Sequence, residues 1–218
     1  MSWESTYARD KHVWGDEPSA LAVFARGHIT RAASESKTMS ILDLGCGYGR
    51  DTIYLAENTK CSVLGVDNAR EAIEMAQKAA VKDVEGCVEF RCCDFREMIG
   101  SKFEVIFASN LYQLLRMEER SALRNIIKEN LNHGGMLFLS TLSISDPEHF
   151  GKGKRIKNEV NSFQDERFLH FCSREEIEKD FSFLSIQELF EHEYYEPRSN
   201  GETHHHISWI ILGVNRNT

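Results

Sequence analysis

The chain has 218 residues, a formal net charge of −8 at pH 7 and a hydrophobic fraction of 41%, values that suit one folded domain with a sizeable core. No apolar run approaches the ~20 residues that a membrane span needs, and the negative balance argues against non-specific nucleic-acid binding, which requires a basic surface. The six cysteines, Cys46, Cys61, Cys87, Cys92, Cys93 and Cys172, have no framework spacing and no C-x-x-C pair, and the N-terminal stretch is charged without an apolar segment. Reduced, mostly buried thiols in an unexported, cytoplasmic protein are therefore expected.

In chain order, the spacing of Leu21, Phe24, His28, Ile29 and Ala32 predicts a helix over 19–33, with Asp16 or Glu17 as its start and Pro18 in the first turn. Strand-like runs follow in "MSILDL", "CSVLGVD", "CVEFRCCD", "FEVIFAS" and "GGMLFLSTL". Between them, "GRDTIYLAENT", "NAREAIEMAQKAA" and "MEERSALRNIIKENL" have helical spacing. This alternation predicts βαβ units, an α/β fold with a mostly parallel sheet covered on both faces. The segment 143–170 breaks the rhythm: it is polar, glycine-bearing and basic at its centre, and predicts a long irregular connection. Then come helix "SREEIEKDF", strand "SFLSIQELFEHEYY" and, after a short turn, strand "HHHISWIILGV".

"ILDLGCGYGRD", residues 41–51, carries the most chemistry. A strand leads into Asp43, glycines stand at 45, 47 and 49, and a helix starts near Arg50. Glycines at such a turn admit close backbone approach and expose amides at a helix N-terminus. A dinucleotide fingerprint would need its third glycine where Arg50 stands. A carboxylate at Asp43 repels pyrophosphate but attracts an ammonium group, which favours S-adenosylmethionine over NAD. Asp67 ends the next strand, 20 residues after Gly47, at the distance where an acid meets ribose hydroxyls. Asp94 ends the third strand, where it can accept from an adenine amino group, with Phe95 placed to stack. Asn68 caps the following helix or meets the ribose, two compatible roles, and Arg50 is expected to be an ordinary first-turn residue, with contact to the cofactor carboxylate as the alternative.

With "LDLGCGYG", "GVDNA", "CCDF", "FEVIFASNLYQLL" and "LNHGGMLFLST" in this order, the chain resembles the class I S-adenosylmethionine-dependent methyltransferases over 39–142, and by pattern over the last two strands. "YARDKHVWGDEPS" and "HHHISW" resemble the small-molecule, tellurite-resistance-like group. The resemblance implies a Rossmann-like seven-stranded sheet of order 3-2-1-4-5-7-6 with an antiparallel last strand. It implies a single domain over 1–218, with 1–35 covering the cofactor and 143–172 as an inserted substrate-side loop. It also implies S-adenosyl-L-methionine as cofactor, held by Asp43, Gly45, Gly47, Gly49, Asp67, Asn68, Asp94, Phe95, Ser109 and Trp14, and a small-molecule methyl acceptor. The N/D-P-P-Y/F tetrapeptide of base and glutamine methylation is replaced by "SNLY", Ser109 to Tyr112. Two other readings stay open: an NAD-linked oxidoreductase and a non-catalytic cofactor-binding module. Oligomeric state is not legible.

The topology puts His204, His205 and His206 at the sheet edge where ligands bind, near Glu191, His192, Glu193, Tyr194 and Tyr195. Period-2 alternation places His204 and His206 on one face and His205 on the other. Candidate catalytic residues are His204, His206, His192 and Tyr112, with His170 as further pocket wall. No complete metal site stands out, although Glu202, His204 and His206 could form one. Tyr7, Arg9 and Trp14 are the useful groups of the N-terminal arm. Lys152, Lys154 and Arg155 could meet an anionic substrate from a closing loop, and His133 is a turn residue.

Overall fold

The structure is a computed structural model and describes residues 3–10, 12–33, 38–80, 87–197 and 203–216, with the side chains of 196 and 197 excepted. Its elements in chain order are α1 (Trp3–Arg9), α2 (Ala20–Ala32), β1 (Ser40–Leu44), α3 (Arg50–Asn58), β2 (Ser62–Asp67), α4 (Arg70–Ala79) and β3 (Val88–Cys92). Then follow β4 (Phe103–Ser109), α5 (Met117–Asn130), β5 (Leu131–Leu142), the short strands β6 (Lys154–Arg155), β7 (Ser162–Gln164) and β8 (Phe168–His170), then α6 (Arg174–Asp180), β9 (Ser185–Pro197) and β10 (Thr203–Val214).

Seven strands form one sheet in the order β3-β2-β1-β4-β5-β10-β9. With the three short strands set aside, this is the 3-2-1-4-5-7-6 order expected from the sequence. Neighbours from β3 to β5 are parallel, and β10 runs antiparallel to both β5 and β9. Parallel strands buried on both faces explain the near-continuous apolar runs. In β4, Val105 and Phe107 pack with Leu21, Ile29 and Leu55 of α2 and α3, while Ile106 and Ala108 pack with Leu123 and Ile127 of α5 and Phe181 beyond α6.

Three local readings are corrected. Helix α2 starts at Ala20, two residues after Pro18, because Ser19 caps it by accepting from the Ala22 amide. The stretch 143–172 is not wholly irregular: β6, β7 and β8 make a small antiparallel sheet. Phe163, Phe171 and Leu142 form its own apolar cluster, joined edge-to-face by Phe150. The thiols are unpaired, but only Cys46, Cys61 and Cys172 are buried. Cys87 and Cys92 are exposed because β3 is an edge strand with one open flank.

Candidate functional site: a carboxylate-lined cleft at the sheet edge

Strand order reverses between β1 and β4, and ligands in open α/β sheets bind at the carboxyl ends of strands flanking such a point. A cleft of about 220 Å³ opens there, continuous with a smaller compartment of about 40 Å³ through shared Tyr7, Trp14, Gly45, Ser109 and Asn110. Asp67, Asn68, Asp94 and Phe95 line the larger part, and Asp43 and Gly47 the smaller. Nine of the ten sequence-predicted cofactor residues thus meet in one place; the exception is Gly49. A Cβ at Gly49 would lie 2.7 Å from the Phe90 ring and 2.8 Å from Ala76, so this glycine serves helix-to-sheet packing instead.

The turn after β1 is built differently from an anion cradle. The amides of Gly45 and Cys46 donate to the Val66 carbonyl, that of Gly49 to Cys46, and that of Gly47 to the Asp67 carboxylate at 2.9 Å. These four amides are satisfied inside the protein, correcting the expectation that the loop offers them to a ligand. What the site offers instead is carboxyl groups and space. Gly47 (φ +55°) and Gly45 (φ +74°) adopt left-handed backbone, and a Cβ at Gly47 would lie 2.8 Å from the Tyr7 hydroxyl.

Each acid has a distinct setting. Asp67 also accepts from the Ala69 amide at 2.8 Å; burial raises its pKa, opposed by the amides of Ala69, Gly47 and Asn68. Ala69, not Asn68, is the N-cap residue of α4, so Asn68 is left to line the cleft. Asp43 accepts from the Thr52 hydroxyl at 2.5 Å, and burial pushes its carboxyl up to about 8. Asp94 caps the short 3₁₀ turn Phe95–Glu97 and pairs with Arg96 at 2.5 Å, which holds it below the usual carboxylate range.

The N-terminal arm closes the cleft with aromatic rings. Trp3, Tyr7 and Trp14 line it, and Tyr7 and Tyr48 pack with Ala69 and Ala72. Arg50 is more than a first-turn residue: its guanidinium donates to the carbonyls of Trp14 and Glu17, fastening the arm to the start of α3. Tyr48 adds a hydroxyl bond to the Gly15 carbonyl at 2.6 Å. Arg9 does not contribute to the cleft; it pairs with Asp10 on the exposed side. Sequence reasoning missed Trp3, Asn110, Leu111, Leu114 and Glu119 as cleft residues. Asn110 carried a signal, since it directly follows β4 and takes φ +56°, a strained conformation that gathers at functional sites.

The predicted catalytic residues lie elsewhere. Tyr112 is buried, with its hydroxyl donating to Asp180 at 2.5 Å and accepting from Arg124 at 2.6 Å, and burial pushes its pKa far up. His170 is buried between Ser162 (2.9 Å) and Glu176 (2.8 Å), linking β8 to α6. His204, His206 and His192 stand on the expected edge but not in the cleft wall. Register pairs Ser208 with Leu142, so His204 and His206 project past the end of β5. The strand β10 lies two places from β4, roughly 10 Å away across the sheet. The alternation holds: His206 packs with His204 and Tyr194, whereas His205 stacks on Tyr195. Glu202 lies outside the described residues. Lys152 pairs with Glu148, Lys154 and Arg155 are exposed on β6, and His133 is exposed beside Gly134.

A parallel sheet with a carboxylate-lined cleft at its switch point defines a nucleoside-binding α/β protein of the Rossmann-like class. Within it, the methyltransferase domain family model matches residues 35–196, and the chain belongs to that family, whose cofactor is S-adenosylmethionine. The carboxy-S-adenosyl-L-methionine synthase of Mannheimia succiniciproducens is 33% identical over 126 residues, covering 56% of this chain and 50% of the relative. The chain therefore spans about half the length of the curated relatives it matches. TehB from Haemophilus influenzae superposes with a TM-score of 0.64 at 19% identity, over 87% of this chain and 62% of TehB. The 1,6-didemethyltoxoflavin-N1-methyltransferase of Burkholderia thailandensis, solved with its namesake and S-adenosylhomocysteine, superposes with a TM-score of 0.65 at 20% identity. That match covers 98% of this chain and 85% of the other. Among the described residues, no helix is long and apolar enough to cross a membrane.

The cleft fits S-adenosylmethionine on its own geometry. It has carboxylates from three successive strands, backbone left open by glycine at 45 and 47, and aromatic faces that suit a cationic sulfur.

Proposed function

We propose that this protein transfers a methyl group from S-adenosylmethionine to a small-molecule acceptor. The observation that carries the reading is the convergence of Asp43, Asp67 and Asp94 on one cleft whose loop amides are already satisfied. A pyrophosphate would meet carboxylates there, and would find those four amides turned inward. In this reading Asp67 accepts from the ribose hydroxyls, Asp94 with Phe95 holds the adenine, and Asp43 faces the amino-acid ammonium. When bound, the cofactor supplies an electrophilic methyl on a positive sulfur. The chain's part is then to align, through the strand-end acids, and to exclude water, through Trp3, Tyr7 and Trp14.

A second chamber of about 260 Å³ shares Trp3 and Leu114 with the cleft and is lined by Gln164, Glu166, Arg167 and Phe168 from the inserted segment. We assign the acceptor to this side, because it adjoins the cleft through an aromatic wall. The B. thailandensis neighbour, named for a small heterocyclic acceptor, supports the acceptor class. The name of the Mannheimia relative supports a second reading, in which the cofactor itself is carboxylated.

The test is calorimetric titration with S-adenosylhomocysteine and with NAD, repeated on Asp67→Ala. Micromolar binding of the first alone, lost in the variant, supports the proposal; binding of NAD alone overturns it, and binding of neither overturns the cofactor assignment. Mass spectrometry of turnover mixtures separates a methylated acceptor from a carboxylated cofactor.

A further inference from the structure

Outside the cleft, three imidazoles from two distant segments meet at the carboxyl edge. His149 comes from the turn after β5, and His204 and His206 from the first residues of β10. One ring nitrogen of each lies within 4.8 Å of the others, and ring centroids stand 5.2 to 5.9 Å apart. Packed imidazoles repel when protonated. Neutral imidazole is the form that ligates metals, and close packing of three rings disfavours their protonation.

A second observation concerns what orients the rings. Asp146, fully buried at its side chain, meets His206 Nδ1 at 3.1 Å and accepts from the Ile207 amide at 3.0 Å. Its other oxygen accepts from the amides of Glu148 (3.1 Å) and His149 (2.8 Å). With Nδ1–H of His206 directed at this carboxylate, Nε2 carries the lone pair. Glu148 sits 3.9 Å from His204 Nδ1, a charge neighbour beyond hydrogen-bond distance, with Lys152 behind it. A carboxylate behind a ligating histidine fixes its tautomer and raises its basicity.

We propose that His149, His204 and His206 bind one divalent transition-metal ion of the zinc class, with Asp146 as the positioning carboxylate. Three clustered nitrogens, with the described carboxylates standing behind the rings, favour zinc, cobalt or nickel over magnesium or calcium. Zinc–nitrogen bonds of about 2.0–2.1 Å in tetrahedral geometry need the nitrogens about 3.4 Å apart, a closure within reach of side-chain rotation. A fourth position remains open. The ion ties the turn after β5 to β10, and this site is independent of the cofactor reading.

The experiment is titration of chelator-treated full-length protein with Zn²⁺ by calorimetry, and with Co²⁺ by visible absorption. Wild type should bind one equivalent at micromolar affinity or better, with cobalt bands of a tetrahedral site. His149→Ala should weaken binding at least ~100-fold although it lies outside the histidine run, and Asp146→Asn by ~10–100-fold. His205→Ala, on the opposite face, should leave affinity unchanged; circular dichroism verifies that each variant is folded. Equal loss in His205→Ala and His149→Ala would mean adventitious capture by the run and overturn the site, as would sub-stoichiometric binding by wild type.

Discussion

Gly47 and Gly49 stand two residues apart with left-handed backbone, yet alanine should do different things at each. At both, an L side chain costs roughly 1–2 kcal/mol in that conformation. At Gly49 (φ +81°) the added carbon meets the Phe90 ring at 2.7 Å and Ala76 at 2.8 Å, both within packed structure. Overpacking adds about 1–3 kcal/mol, so Gly49→Ala should lose about 2–5 kcal/mol of stability while leaving the cleft wall intact. At Gly47 the carbon meets only the Tyr7 side chain, whose buried hydroxyl is hydrogen-bonded to Trp14 on the same arm. The arm gives way, stability falls by about 1–2 kcal/mol, and the displaced tyrosine opens the cleft. Binding of S-adenosylhomocysteine should weaken by about tenfold or more, equivalent to at least ~1.4 kcal/mol. Urea unfolding and calorimetry on both variants decide it. If folded Gly49→Ala loses as much affinity as Gly47→Ala, or keeps its stability within about 1 kcal/mol, the division between packing and cleft glycine is wrong.

Asp43 predicts a pH dependence. With its folded pKa raised to about 8, the empty site holds a proton at neutral pH, whereas an ammonium ligand selects the carboxylate. Binding therefore releases a proton below that value, and affinity should rise with pH toward about 8 by at most tenfold per unit. Asp43→Asn should flatten the profile, and an unchanged slope would remove Asp43 from the ligand. Tyr112→Phe should cost about 1–3 kcal/mol by breaking the link to Asp180 and Arg124, with cofactor affinity and pH profile unmoved. A large affinity loss in that variant would restore Tyr112 to the site. Arg50→Ala should release the arm and weaken S-adenosylhomocysteine binding severalfold, with a stability change below about 1.5 kcal/mol. Unaltered affinity would show that the arm closes without it.

The cleft acids were legible because each ends an apolar run, and parallel strands present their ends to one edge. Topology alone then brings Asp43, Asp67 and Asp94 together. Roles set by a partner distant in sequence were not legible. Tyr112 is claimed by Asp180, 68 residues on, and His206 by Asp146, 60 residues back. The small sheet after β5 was hidden because strands of two or three residues are too short to show alternation. Exposure of Cys92 depends on β3 being an outer strand, which no local pattern encodes.

The placing of β10 between β5 and β9 bears on how the sheet assembles. Among the described residues, β9 joins the sheet only through β10, although it precedes it in the chain. It has no partner until the hairpin is made, so the two strands must dock as a unit onto β5. A break in β10 therefore removes two strands rather than one and leaves β5 with an open, apolar flank. Substitutions along Ile207–Leu212 should then slow refolding and promote association of chains, beyond what their share of the core would suggest.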